Sequence, residues 1–484
     1  MKMLRVLMIF FLVLVLAAGS AVTAGQEDIT AFSALTAEQE DITAYKQFES
    51  NVPGVSESML YPEFWIKNTP DAGKLIAAAE EIAEFNRVNV RDAAAPLADL
   101  ENYQQSFTKA ELAELIRGLS KPATSERYNS DGELVGKKYY DLIISNLNLN
   151  GLRDVNAVRY GIAVRRTEMR TFPTYDRLYS SPANYNIDRF METVAYPAEP
   201  LVILSTSKDG QWYFAQMYNY LAWIPAKDVA VGDKTELFSY VNREPFLTVT
   251  APRIHASFNP MNAELSELRF DMGARLPLAT ASEVKAAFYD QNPAGNFVVK
   301  VPTRNEEGKL IFDYVLISRS ADVSLGYLPY TKENIIKQAF KLQGERYGWG
   351  GMFNGRDCSA FLMDIFRTMG VRIPRNASEQ GKLMVGRYYD MPASMTLGER
   401  KRLFDGLEPG TALYMSGHAM LYLGKYEDEY YMIHDFSGFS VKNGNGELVN
   451  YSSWEVAVTP LSILRSSGGI YMEALYGARV FLLE

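Results

Sequence analysis

Along this chain apolar residues first recur at three- and four-residue spacing, then near Gly161 the period drops towards two, so a helical front precedes a strand-rich remainder. In the front part Thr69-Pro70 predicts the start of a helix whose apolar face is Leu75, Ile76, Ala79, Ile82 and Ala83. A second helix starts with the capping box Thr108 and Glu111, places Phe107 against Leu112, and stops before Pro122. Past Gly161, LVILSTS and QWYFAQM flank an Asp209-Gly210 turn over residues 201–217, which predicts an apolar hairpin. The run VVKVPTRNEEGKLIFDYVLIS predicts another. Between them LAWIPAKDV at 221–229 has a weak echo in LGYLPYTKEN at 325–334, and two related small barrels are the expected result. Helical spacing returns at Phe361, Leu362, Ile365, Phe366 and Met369, with Gly370 and Pro374 as the stop.

Length changes this picture by adding domains: 484 residues, 47% of them hydrophobic, suffice for three or four packed cores. A net charge of −9 argues against nucleic acid as a partner and against a polybasic membrane patch. Residues 1–24 read as a secretory signal peptide, with Lys2 and Arg5 before the apolar run Val6 to Ala18 and Val22-Thr23-Ala24 as the cleavage site. No cysteine lies nearby for lipid attachment, and no later stretch is apolar for long enough to span a bilayer, so an exported, soluble mature protein is expected, periplasmic or extracellular. A polar stretch follows with a near repeat, QEDITAF at 26–32 and QEDITAY at 39–45, expected to wrap a surface.

Candidate chemistry centres on Cys358, the one cysteine of the chain, which stands between Asp357 and Ser359 where a glycine-rich loop becomes a helix. A core cysteine belongs inside an apolar run, whereas this one is expected to face outward as a nucleophile. There the helix N-terminus would hold its thiol below the ordinary value of about 8.5. Histidine can take a thiol proton near neutral pH and return it to a leaving amine. His418 opens the strand-like HAMLYLG and His434 closes EYYMIH, so neighbouring strands can set the rings side by side, with His434 accepting Nδ1–H of His418 and fixing its tautomer. One cysteine and two histidines could instead bind zinc, but no HExxH or CxxC occurs and the spacing is poor, so no metal and no cofactor is expected. His255, in the polar segment APRIHASFNP, has no partner nearby.

The block YGWGG…DCSAF…PRN…Q from Tyr347 to Gln380, then SGHAMLYLG around His418, then YYMIHDF around His434, resembles in order and spacing the NlpC-type papain-like cysteine peptidases, in the branch with two bacterial SH3-like domains. That resemblance implies an α+β multidomain fold: signal peptide 1–24, a mostly helical stabilising region 25–157, SH3-like barrels at 158–240 and 241–327, and a papain-like NlpC-type domain at 328–484. It implies Cys358 as nucleophile, His418 as general base and His434 as orienting group. Tyr347 would stand near the oxyanion, with Asp357, Ser359 and Asn376 facing substrate. It further implies hydrolysis of the bond between γ-D-glutamate and a diamino acid, meso-diaminopimelate, in peptidoglycan stem peptides or muropeptide fragments with a free N-terminal L-alanine, by a monomer. The first SH3-like domain would wall the cleft through one of Tyr175, Tyr179, Tyr185 and Tyr220. An amidase or acyltransferase on the same fold, or a non-catalytic wall-binding protein, are the alternatives. Where related enzymes often read PRDS, this chain has Pro374, Arg375, Asn376 and Ala377, so looser recognition is expected. Asp357 has two readings, a helix cap or a bare carboxylate for the substrate amine. On the second reading Asp357→Asn would leave stability within ~1 kcal/mol and raise KM for peptides with a free N-terminal L-alanine, whereas lost stability with no such selectivity would mark a cap alone.

Overall fold

This computed structural model describes residues 51–90, 97–383 and 385–481, so the signal peptide and the near repeat lie outside the described residues. The helical front contains α1 (Pro62–Lys67), α2 (Ala79–Asn89), α3 (Lys109–Leu119) and α4 (Lys137–Ser145). The α3 cap is as expected: Thr108 accepts from the Glu111 N–H, the Glu111 carboxylate returns to the Thr108 N–H at 2.8 Å, and Leu112 and Ile116 are buried. The helix expected from Thr69-Pro70 is corrected. Leu75–Ala77 instead form a short strand paired with Tyr330–Thr331, and helix begins only at Ala79, where the Glu81 carboxylate caps the Ala78 N–H. Pairing with a segment more than 250 residues away in the sequence overrides the local periodicity there.

Strands β1 (Arg159–Ala163), β2 (Thr167–Arg170), β3 (Met191–Ala195), β4 (Pro200–Thr206), β5 (Trp212–Gln216), β6 (Leu221–Pro225) and β7 (Val229–Gly232) form an antiparallel sheet in the order β7-β1-β4-β5-β6-β2-β3. The expected hairpin is β4–β5. Leu201 and Ile203 pack with Met169, Ala215 and Ile224, while Val202 and Leu204 join Phe214 and Trp223 in a cluster that also contains Leu112 and Ile116 of α3. Both sides of β4 are therefore covered, which explains why LVIL reads as a continuous apolar run and not as an alternation.

After α5 (Lys234–Val241), β8 (Phe246–Val249) lies between Arg275–Pro277 and Val323–Leu325, and the second expected hairpin is Asn296–Arg304 with Leu310–Ser318. These segments share a core that includes Leu247, Phe270, Val299 and Ile317. The remainder holds α6 (Lys332–Lys341), α7 (Cys358–Arg367) and an antiparallel sheet of β9 (Arg387–Asp390), β10 (Ala412–Met415), β11 (His418–Tyr426), β12 (Glu429–Lys442), β13 (Leu448–Pro460) and β14 (Leu475–Val480), ordered β9-β14-β10-β11-β12-β13. Phe361, Leu362, Ile365 and Phe366 of α7 pack against Ala419, Leu421, Ile433 and Val458 of that sheet. No helix among the described residues is long and apolar enough to cross a membrane.

A buried arginine joins these parts. Arg356, 1% exposed, gives Nε to Asp364 at 2.6 Å, Nη1 to Glu345 at 2.7 Å and Nη2 to the Pro252 carbonyl at 2.8 Å, and Asp364 also accepts from the Tyr196 hydroxyl at 2.7 Å. Replacing one partner of such a pair leaves the other charge buried alone, at about 3–5 kcal/mol. Arg356→Met is therefore expected to lower the thermal midpoint clearly, whereas Arg372→Met, at an exposed position, should shift it little; differential scanning calorimetry of the two variants reads the difference.

Candidate active site

Loop 347–355 delivers the chain to Cys358 along the first sheet. Gly351 has φ of +101°, and a Cβ there would lie 2.7 Å from Val194 Cγ1, so side-chain-free backbone is required where the loop touches β3. Trp349 Nε1 donates to the Met191 carbonyl at 3.2 Å, and Arg166 donates to the Gly351 carbonyl at 2.8 Å. Asp357 then caps α7, accepting the Ala360 N–H at 3.0 Å and the Gly350 N–H at 2.9 Å.

Asp357 is not a bare carboxylate, which corrects the sequence-based expectation. Arg375 pairs with it in two parallel bonds, Nη1 to Oδ1 at 2.9 Å and Nη2 to Oδ2 at 2.7 Å, and the Ser359 hydroxyl adds a bond at 3.2 Å. Burial would raise this carboxyl, but the Arg375 charge and its hydrogen bonds, with the two backbone N–H groups, hold it below the ordinary value. Arg375 Nε also reaches Thr193 of β3 at 2.8 Å, so the pair ties the nucleophile helix to the first sheet. Ser359 is engaged within this cluster, accepting from Arg375 at 2.9 Å. Asn376 starts the short helix Ala377–Gln380, with its N–H on the Glu379 carboxylate at 3.3 Å.

Cys358 stands at the first turn of α7 as expected, but it is 7% exposed and does not face outward. The Ala419 N–H at the start of β11 bonds to it, and Tyr347 at the head of loop 347–355 senses its charge. Burial pushes its thiol up to about 12, the Asp357 charge acts in the same direction, and the Ala419 backbone N–H opposes them. The expected lowering of the thiol is therefore corrected: desolvation outweighs the helix terminus. Tyr347 is buried too, its hydroxyl raised by burial first and then by the charges of Cys358 and Asp357.

The two histidines do meet. His418 Nε2 and His434 Nδ1 are 2.8 Å apart, and His434 Nε2 is 3.0 Å from the Thr459 hydroxyl on β13. If Nδ1 of His434 accepts, its proton sits on Nε2 and points to Thr459, while His418 carries hydrogen on Nε2 and keeps Nδ1 as a free base. The contact runs through Nε2 of His418 and not through Nδ1 as expected from sequence. Phe436 stacks on His434 with centroids 4.0 Å apart, and Tyr471 meets the same ring edge-on at 5.4 Å. Burial lowers His418 to about 4, against the pull of Asp357, and lowers His434 well below its ordinary value. Burial thus favours the uncharged form of both the thiol and the imidazole. The Ala419 N–H bonded to Cys358 belongs to the residue next to His418, so the thiol lies at the strand end that carries an imidazole backed by a second imidazole and a hydroxyl.

Residues 344–461 match the NlpC/P60 family, and residues 177–225 match the SH3 domain of SH3b1 type. The C-terminal segment is an NlpC/P60 domain. A curated relative, the gamma-D-glutamyl-L-lysine dipeptidyl-peptidase of Bacillus subtilis, is 33% identical over 122 residues, which are 24% of this chain and 40% of that protein. The match thus spans well under half of the relative. Among solved structures, an NlpC/P60 endopeptidase from Photobacterium damselae subsp. piscicida covers 85% of this chain and 92% of its own with a TM-score of 0.64 at 19% identity, a likeness of fold. An NlpC/P60 family protein from Bacillus cereus covers 67% of this chain and 99% of its own, with a TM-score of 0.46 at 19% identity.

Arg375, Thr459 and Glu192 were missed by sequence reading. Arg375 lay within the quoted PRN motif and was given no role; Thr459 carries no local signal. Of the four tyrosines considered for the cleft wall, Tyr220 bonds the Glu192 carboxylate on β3 and senses the Arg375 charge, whereas Tyr175 and Tyr185 are half-exposed. Because an amide cannot neutralise Arg375, Asp357→Asn should now destabilise the domain by about 3–5 kcal/mol and not by ~1. Urea unfolding of wild type and variant checks this.

Proposed function

We propose that this protein is an exported cysteine endopeptidase that cuts between γ-D-glutamate and the diamino acid of peptidoglycan stem peptides. The observation that carries this reading is the contact of His418 with His434 and of His434 with Thr459, with the N–H of Ala419, the residue after His418, bonded to the buried Cys358, inside the segment that matches the NlpC/P60 family. In the proposed reaction His418 Nδ1 takes the thiol proton as sulfur attacks the amide carbonyl carbon, and the Tyr347 hydroxyl stands by the oxyanion. The same imidazole protonates the leaving amine, giving a thioester. It then activates the water that releases the γ-glutamyl acid. Since burial lowers His418 to about 4, the acid limb of kcat/KM should fall there instead of near the ordinary histidine value.

The same reading keeps residues 25–157 as a stabilising region, 158–240 and 241–327 as two SH3-like units, 328–484 as the catalytic unit, and residues 1–24 as a cleaved signal peptide. Preference for a free N-terminal L-alanine is part of the proposal, with one change of residue. The lone pairs of Asp357 are taken by Arg375, Ser359 and two backbone N–H groups, so the proposal gives the amine to Glu192, half-buried on the strand that touches Arg375 and accepting, among the described residues, only from the Thr171 and Tyr220 hydroxyls. The relative's name specifies L-lysine as the diamino acid, and meso-diaminopimelate is retained here as the other candidate.

Incubation of the mature chain with L-Ala-γ-D-Glu tripeptides ending in meso-diaminopimelate or L-lysine, read by mass spectrometry, is expected to release L-Ala-γ-D-Glu, with N-acetylated peptides cut poorly and Cys358→Ala inactive. Release of a different fragment would indicate an amidase, and no release would leave a wall-binding protein. A second expectation separates the histidines: His418→Asn should lose about 10²–10⁴-fold in kcat/KM, whereas His434→Asn, whose amide oxygen can still accept the Nε2–H, keeps measurable activity. Equal losses would contradict the division of roles.

A further inference from the structure

Directly after His434, β12 carries an ionisable side chain that the proposed reaction does not use. Asp435 is 0% exposed, and among the described residues neither of its carboxyl oxygens has a hydrogen-bond partner. Around it stand Glu345 and Tyr347 from the segment after α6, Arg356 and Asp357 from the turn before α7, Cys358 at the head of α7, and Glu455 on β13. Arg356, a cation that acts on it, already gives its donors to Asp364, Glu345 and the Pro252 carbonyl. Arg375, the next guanidinium, is committed to Asp357. Two carboxyls thus flank the same thiol in opposite circumstances. Asp357 has five donors on its oxygens and is the ionised one, whereas Asp435 has none among the described residues and is fully buried. A carboxylate buried without a donor is far costlier than the neutral acid, so the neutral acid is the form that fits this site.

We propose that Asp435 is a positioning residue that sets the charge beneath the nucleophile: it remains a neutral acid while Cys358 works, and its ionisation on the alkaline side adds a negative charge that suppresses the thiolate. Burial first, and then the charges of Asp357, Glu345 and Glu455, push its carboxyl well above the ordinary value, with Arg356 opposing, and the thiol in turn feels the Asp435 charge. The linkage has a definite sign. The folded protein keeps a proton that the unfolded chain releases near pH ~3.9, so folding stability falls as pH rises through the window from there to the raised folded value, by about tenfold in the folding constant per pH unit. An asparagine at 435 holds no such proton and loses nothing in that window.

The inference rests on the peptidase reading only for the role of the thiol, and its test needs no substrate. Because Cys358 is the only cysteine of the chain, iodoacetamide labelling reports this site alone. Wild type and Asp435→Asn are to be alkylated from about pH 5 to about pH 10, and unfolded in urea over the same series. The two proteins are expected to label equally slowly at the acid end, the variant becoming about tenfold faster at the alkaline end. The stability of the variant relative to wild type should grow steadily with pH. Superimposed labelling profiles, a variant slower throughout, or a stability difference that does not change with pH would each overturn the proposal. So would a variant that fails to fold, since the amide is the closest isostere of the neutral acid. If wall peptides are not cut yet labelling and stability separate as described, the peptidase reading falls and the role of Asp435 stands.

Discussion

The bidentate pair of Asp357 with Arg375 is the constraint on which the rest of the site depends. Four segments meet in it: the glycine-rich loop through the Gly350 N–H, the nucleophile helix through the Ala360 N–H, the turn after that helix through Arg375 itself, and β3 of the first sheet through Thr193. A planar guanidinium can hold both carboxylate oxygens and still use Nε elsewhere, which an ammonium cannot do. The first turn of α7 is consequently aimed by charge and hydrogen bonding, while its remaining turns are held by apolar packing. That division suits a helix whose head must present a sulfur and whose body must stay buried.

One consequence concerns the thiol. The pair largely neutralises itself, so little net charge is left to favour a thiolate, and burial decides the outcome in favour of the protonated sulfur. In the proposed reaction the reactive form is then made when it is needed, by transfer to His418, and this places weight on the groups behind that ring. His434 engages Nε2 of His418, Thr459 meets the far nitrogen of His434, and the Phe436 and Tyr471 rings pack against the His434 plane. A neutral relay of this kind carries no buried carboxylate, so it adds no further charge to a site already crowded with acids.

Features decided within a few residues were legible in the sequence. The capping box at Thr108, the two hairpins and the helix from Cys358 each depend on spacing and turn chemistry that the local pattern contains, and the order of Cys358, His418 and His434 could be read for the same reason. What escaped was decided at long range. Leu75 and Ile76 keep helical spacing but are claimed by a distant strand; the environment of Cys358 depends on a loop and a strand that act on it; and the partners Arg375 and Thr459 lie 18 and 25 residues from the groups they serve. The inverted position of the thiol, expected outward and found buried, is of this kind as well. A polar flank such as Asp357 and Ser359 signals solvent only when no arginine is available to bury it.

The placement of the SH3b1-type segment follows from the same interactions. An appended recognition module would meet its neighbour through a small polar interface and leave the site complete without it. Here β3 supplies Thr193 to Arg375, the Met191 carbonyl to Trp349, and a wall of Val194 against which only glycine fits, while Tyr196 just beyond it bonds Asp364 in the middle of α7. The loop that carries the chain into Cys358 therefore takes its shape partly from the first sheet. Strand β3 belongs to the architecture of the active site, and a change in its register would move Glu192, Thr193 and the loop together.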